Sequence, residues 1–240
     1  MVMTTPADTA GATDLRVLTS NSSFPVLDAL APAFERATGR RYSVQVATAR
    51  GMLARIKDGE TADVAVLAAS DIDELVALGV IAPGSRRLFA RSRVGVAVRA
   101  GANKPDISSV EAFRRTLLSA KSIAHTVNGA SGRYVPVLLE RLGIAEQMKP
   151  RTVTREGGYI GGVVAAGEAE IAIQQIVELL AVPGIDVVGL LPDEIQKVFE
   201  TAAGIFRTSA QPAAADALLR FLLAPASSGV FRERGLESAM

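Results

Sequence analysis

LRVLTSNSSFPVLDAL, residues 15–30, decides the fold. Residues 15–19 are strand-like and apolar, Ser20, Asn21, Ser22 and Ser23 form a polar turn, and Pro25 opens an amphipathic helix. Leu27, Leu30, Ala31 and Phe34 share one face of that helix and Gly39 offers a stop, which predicts a helix over 24–38. Pro32 falls inside this span and predicts a kink or a break. A hydroxyl-rich strand-to-helix turn aims backbone N–H groups and side-chain donors at one point, which is the geometry of an anion site.

The same unit recurs along the chain. YSVQVA (42–47) alternates as a strand, Thr48, Ala49, Arg50 and Gly51 make a second turn, and a helix is expected over 52–57 before Gly59. DVAVLA (63–68) is an apolar strand of the kind found in parallel sheets, and Ser70 is placed to cap a helix over 71–78. Strands alternating with helices predict a doubly wound α/β architecture. LFARSRVGVAVRAG (88–101) breaks the rhythm as one long extended run, which suits a strand leaving a first lobe for a second. Beyond it come helices over 109–118, 133–142, 160–166 and 176–180, and strands over 122–126, 151–154 and 171–173. Two further turns accompany them, at 127–132 and 155–159. Strands over 186–191 and 199–206 are expected to return to the first lobe, followed by helices over 212–223 and 226–234. The expected division is residues 14–90 with 195–240 as lobe 1 and 91–194 as lobe 2, with 1–13 a disordered N-terminal segment. No linker, repeat or low-complexity run separates the lobes, so strands should join them.

Composition narrows the function. With 240 residues, 49% of them hydrophobic, the chain can bury a large core. A net charge of +1 argues against nucleic acid as a partner, and no apolar run is long enough to insert into a membrane. There is no cysteine and a single histidine, His125, which excludes thiolate and multi-histidine metal sites. No P-loop, nucleophile elbow or dinucleotide fingerprint is present, so no cofactor is implied. The N-terminus has no basic segment followed by a long apolar run, which predicts a cytoplasmic protein, or a periplasmic one if a native signal has been removed.

Four turns carry the candidate site: Asn21, Ser22 and Ser23; Arg50 and Gly51; Ser131, Gly132 and Arg133; and Arg155 with Tyr159. Ligands of open α/β sheets bind beyond the carboxyl ends of the strands, so two facing lobes would gather these turns around one cleft. Taken singly, each turn is also an ordinary helix cap. Arginine forks suit planar carboxylates. Gln174 and Gln175 end a short apolar strand and can donate to an oxyanion or close a turn. Tyr134 and Tyr159 are expected in helix starts at the cleft. His125 ends a strand beside the third turn, whereas Glu156 and Glu178 read as solvated surface carboxylates.

As an ordered set, LRVLTSNSSFPVLDALAPAFERATG, LARIKDGETADVAVLA, ASGRYVPVLLERLG, GGVVAAGEAEIAIQQ and ALLRFLLAPASSGVFRERG resemble the type II periplasmic solute-binding proteins, and among them the molybdate-binding branch. The resemblance implies two lobes, each a doubly wound mixed sheet flanked by helices. Two crossover strands serve as the hinge, and the lobes close on a ligand. It implies a small anion as ligand and the membrane component of an ABC importer as partner. The family's first oxyanion serine falls at Ser22. Its second serine turn is Ala49-Arg50-Gly51 here, and the position of its tyrosine falls near Gln175, so a guanidinium and an amide replace neutral hydroxyls. These changes favour an organic carboxylate over molybdate. The stretches QQ-x-x-EL and IDVVGLLPDEIQ also resemble members of this fold that isomerise aconitate, an allylic proton shift for which His125 would be the base.

Overall fold

The computed structural model describes residues 14–239, so the segment 1–13 expected to be disordered lies outside the described residues. The first half opens with β1 (Leu15–Ser20), α1 (Phe24–Thr38), β2 (Tyr42–Ala47), α2 (Ala49–Lys57), β3 (Val64–Ala68) and α3 (Ala69–Ala77). A long strand, β4 (Arg87–Arg99), leads to α4 (Val110–Ser119), β5 (Ile123–Thr126), α5 (Ala130–Arg141), α6 (Ala145–Met148) and β6 (Thr152–Arg155). There follow α7 (Gly161–Ala165), β7 (Ile171–Gln175), α8 (Ile176–Leu180) and β8 (Ile185–Leu190), then β9 (Val198–Ile205), α9 (Pro212–Leu222), α10 (Ser228–Glu233) and β10 (Glu237–Ser238).

The mixed sheet runs β2-β1-β3-β9-β4-β7-β5-β6, with β8 and β10 also paired to β4. β1 is parallel to β2 and β3, and β5 is parallel to β6 and β7, whereas β9 and β4 run antiparallel between these two groups. β4 joins the halves by changing partners. Through Arg93 it pairs with β9 and β10, and from Val94 it pairs with β7 and β8. At that junction the Gln196 side chain stands in for a strand: its Oε1 accepts from Val94 N–H at 2.8 Å and its Nε2 donates to the Val94 carbonyl at 3.1 Å.

Each half has its own apolar packing. Leu27, Leu30 and Phe34 of α1 meet Leu218, Leu219 and Leu222 of α9 and Val17 of β1. In the second half Phe113, Leu117, Leu138 and Leu139 cover Val96, Ile123 and Ile171. Burying each such side chain contributes about 1.5–3 kcal/mol. Among the described residues no single helix is long and apolar enough to cross a membrane.

Three local expectations are corrected. Of the kink or break expected at Pro32, the break does not occur: α1 is one helix over Phe24–Thr38, its buried apolar face outweighing one missing N–H. Ser70 lies inside α3 rather than at its cap, which is Ala68. β8 stays in the second half on β4 instead of returning to the first, and only β9 returns. Partner choice for a short apolar strand depends on distant chain, so periodicity could not decide it.

Candidate functional site

The carboxyl ends of β1, β2, β3 and β5 each open directly into a helix of nine or more residues: α1, α2, α3 and α5. Their first turns meet a small cavity of about 40 Å³, lined by Ser20, Asn21, Ser22, Ala49, Ala68, Gly129 and Ala130. Gln175 and Glu178 from the second half, and Phe199, Glu200 and Thr201 of β9, complete it. Four helix N-termini at one point create a strong preference for negative charge. No lysine or arginine lines the cavity.

Several groups at or beside the cavity have no hydrogen-bond partner among the described residues. The hydroxyls of Ser23, Thr126 and Ser131 and the Gln175 Oε1 are buried without a hydrogen bond. Such atoms are costly unless something else pairs with them. Ser22 lies 3.3 Å from Ser20, hydroxyl to hydroxyl. Thr48 caps α2, its hydroxyl accepting from Gly51 N–H at 3.1 Å. Gly132 allows the start of α5 to lie directly on the end of β5, since a Cβ there would fall 1.8 Å from the Thr126 carbonyl oxygen.

The halves touch across the cavity. Tyr159 donates to the Asn21 carbonyl at 3.4 Å, and Gly157 lies against the Thr48 methyl so closely that a Cβ would come within 2.1 Å. Burial, with help from the Glu178 and Asp28 charges, pushes the Tyr159 hydroxyl up to about 12, so it remains a donor. On the rim, the Arg133 charge is felt at Asp71 of α3, whose carboxyl is raised by its partial burial.

Glu178, read from sequence as a solvated carboxylate, is the correction of greatest consequence. It is 5% exposed and faces the cavity. Burial pushes its carboxyl up to about 8, against the pull of the Gln175 backbone and the Gln174 side-chain amide. As the third residue of α8, with Gln175 as N-cap, it occupies the position from which a glutamate reaches back to the cap N–H. That spacing in QQ-x-x-E was the available signal.

Other expected site residues fall differently. Asn21, Ser22 and Gln175 line the cavity, whereas Ser23 and Ser131 lie buried beside it. Gly51 serves the Thr48 cap, and Gly132 the close approach to β5. Gln174 spends its amide on the fourth turn, accepting from Ile160 N–H at 2.8 Å and donating to the Gly158 carbonyl at 2.9 Å. Arg50 and Arg133 lie in the first turns of α2 and α5, exposed at the rim and outside the lining. Arg155 is ion-paired with Glu168, and Tyr134 donates to the Ile195 carbonyl at 2.7 Å, so neither faces the cleft. His125 is also displaced. It opens on a separate cavity of about 430 Å³ with Leu139, Lys149 and Thr154. The reason is strand parity: Thr126, one residue on, faces the start of α5, so His125 faces away. Its ring nitrogen Nδ1 lies 2.9 Å from the Thr126 carbonyl, and burial lowers its pKa. Among the described residues no group of three His, Cys, Asp or Glu could hold a metal ion.

This arrangement of two half-sheets around an anion-seeking cavity has well-defined relatives. The chain belongs to the family of bacterial extracellular solute-binding proteins, which it matches over residues 15–237. An aconitate isomerase from Pseudomonas sp is 37% identical over 231 residues, covering 94% of this chain and 88% of that protein. In fold, the periplasmic molybdate-binding protein of Azotobacter vinelandii superposes with a TM-score of 0.80 at 20% identity, covering 95% of this chain and 100% of that one. A sulfate-binding protein from Mycobacterium tuberculosis gives 0.76 at 17% identity, covering 95% and 88%.

Proposed function

We propose that the protein binds a small polycarboxylate in the cavity between its halves and moves a double bond within it by an allylic proton shift, as an isomerase of the aconitate type. The observation that carries this reading is the ring of four helix N-termini around a cavity that no lysine or arginine lines, with the unpartnered hydroxyls of Ser23, Thr126 and Ser131 buried nearby. Such donors hold a carboxylate in the ground state and favour the enolate-like charge that builds on it when a neighbouring carbon loses a proton. The isomerase from Pseudomonas sp supplies the reaction class.

A second reading, the receptor of an ABC importer for the same acids, draws on the family to which the chain belongs. One experiment separates the two. The protein is incubated with trans-aconitate in deuterated water and followed by proton NMR. Isomerisation to the cis acid, with or without deuterium incorporation, is the expected result. Tight binding with neither isomerisation nor exchange would leave only the receptor.

The cavity in this closed form has room for only a few water molecules. The halves must therefore part to admit a six-carbon acid, and its outer carboxylates would then reach the rim. We assign Arg50 and Arg133 to those outer carboxylates. Arg50→Ala and Arg133→Ala should each weaken trans-aconitate binding about tenfold at low salt and less at high salt, as for exposed charges. A monocarboxylate such as acrylate should bind the variants and the native protein alike. Calorimetric titration at two salt concentrations checks both statements, and unchanged affinity for the tricarboxylate would return these arginines to solvent.

A further inference from the structure

We propose that Glu178 is the acid–base residue of the cleft, carrying the proton between two carbons of the bound acid. This rests on the isomerase reading and names the side chain that performs it. Geometry carries the assignment. Glu178 lines the cavity with Ser22, Gln175 and Thr201, and it is nearly inaccessible to solvent. None of the ion pairs among the described residues includes it. It is the third residue of α8, which Gln175 caps, and the Gln175 backbone and Gln174 side-chain amide lie close enough to temper the effect of burial on its carboxyl.

A carboxyl without a counter-ion has no use in a site that only holds anions, because once ionised it repels the ligand. Here burial keeps it protonated up to about pH 8, so it meets an incoming carboxylate as a neutral donor. Release of that proton to solvent leaves the carboxylate, which then takes a proton from the methylene that lies between a carboxylate and the double bond. That C–H bond breaks, and its electron pair spreads over the three-carbon unit and onto carboxylate oxygens facing the helix N-termini. The Glu178 O–H bond then breaks, the proton joins the far alkene carbon, and the double bond has moved by one position. Nothing is oxidised or reduced, and Glu178 ends ionised as it began.

The charged surroundings leave this titration to Glu178. Tyr159 stays protonated beside it. Glu200 of β9, on the same cavity, accepts from Arg91 at 2.8 Å. Arg93 of β4 is paired with Glu237 at 3.0 Å, and no charged neighbour figures among the causes of the Glu178 shift.

The test uses the full chain with trans-aconitate, NMR for turnover and calorimetry for binding. Native protein should isomerise the acid at a rate that climbs with pH and levels off above about 8. Glu178→Gln should lose about 10²–10⁴-fold in turnover while binding at pH 6 within about threefold of native. Glu178→Asp should keep measurable turnover, because the acid is retained. Turnover by Glu178→Gln within tenfold of native overturns the assignment and leaves the isomerase reading standing. Joint loss of binding and turnover in both variants makes Glu178 structural and overturns it too. Binding without turnover by native protein overturns the isomerase reading itself.

Discussion

Glu178→Gln is expected to stabilise the fold at pH 9 and to leave it almost unchanged at pH 4. The folded chain holds this carboxyl protonated up to about 8, against an ordinary value of 4.5. Below 4.5 the group is neutral in both folded and unfolded chains, and the native protein has its full stability from this source. Between 4.5 and about 8 the unfolded chain releases a proton that the folded chain keeps, so stability falls as pH rises. Above 8 both states are ionised and the loss is complete. The interval corresponds to at most about 5 kcal/mol, and we expect about 2–4 kcal/mol after the site relaxes. Gln is neutral at every pH, so its advantage over Glu should open across that window. Urea unfolding of the two proteins at matched pH measures it. Parallel stability curves from pH 4 to pH 9 would mean that Glu178 is solvated. The direction matters for function, since a residue that lowers stability where it is ionised needs some other reason to be there.

The same residue marks where local sequence stops being informative. Periodicity gave α1 and β2 their full spans because their apolar faces are long and their stops are local: Gly39 ends α1 in the left-handed conformation that glycine favours. The convergence of the turns at 20–23, 48–51 and 127–132 was also legible, because strand-to-helix order alone sends them to one sheet edge. α8 is five residues long, too short for a face to be read. What buries Glu178 is the junction at which Gln175 pairs with Val94, just where β4 changes partners. That register depends on chain eighty residues apart. Arg50 and Arg133 lie in the first turns of α2 and α5, but the direction of a long side chain from a first helical turn is set by its surroundings, and both are exposed. His125 shows the sharpest form of the problem, since a shift of one position along β5 moves a side chain from the cleft to the opposite face.

Gly132→Ala should be among the most damaging substitutions in the cleft. The start of α5 rests directly on the end of β5, and an added Cβ would lie 1.8 Å from the Thr126 carbonyl oxygen and 2.5 Å from its hydroxyl. Backbone is the obstacle, so no side-chain rotation relieves it. The first turn of α5 must lift, which should cost about 2–4 kcal/mol of stability. It also carries the N–H groups of Ala130 and Ser131 away from the cavity, so binding of trans-aconitate should weaken at least tenfold, given how steeply such sites respond to shifts of about 1 Å. Gly162→Ala is the matched control. That glycine lies in α7, is exposed, and has nothing within 4 Å of an added Cβ. It should change stability by less than about 1 kcal/mol, in the stabilising direction. Thermal unfolding and calorimetric titration of the two variants settle the comparison. If Gly132→Ala matched Gly162→Ala in both, the start of α5 would not be held on β5, and the ring of helix N-termini would lose the second half's contribution.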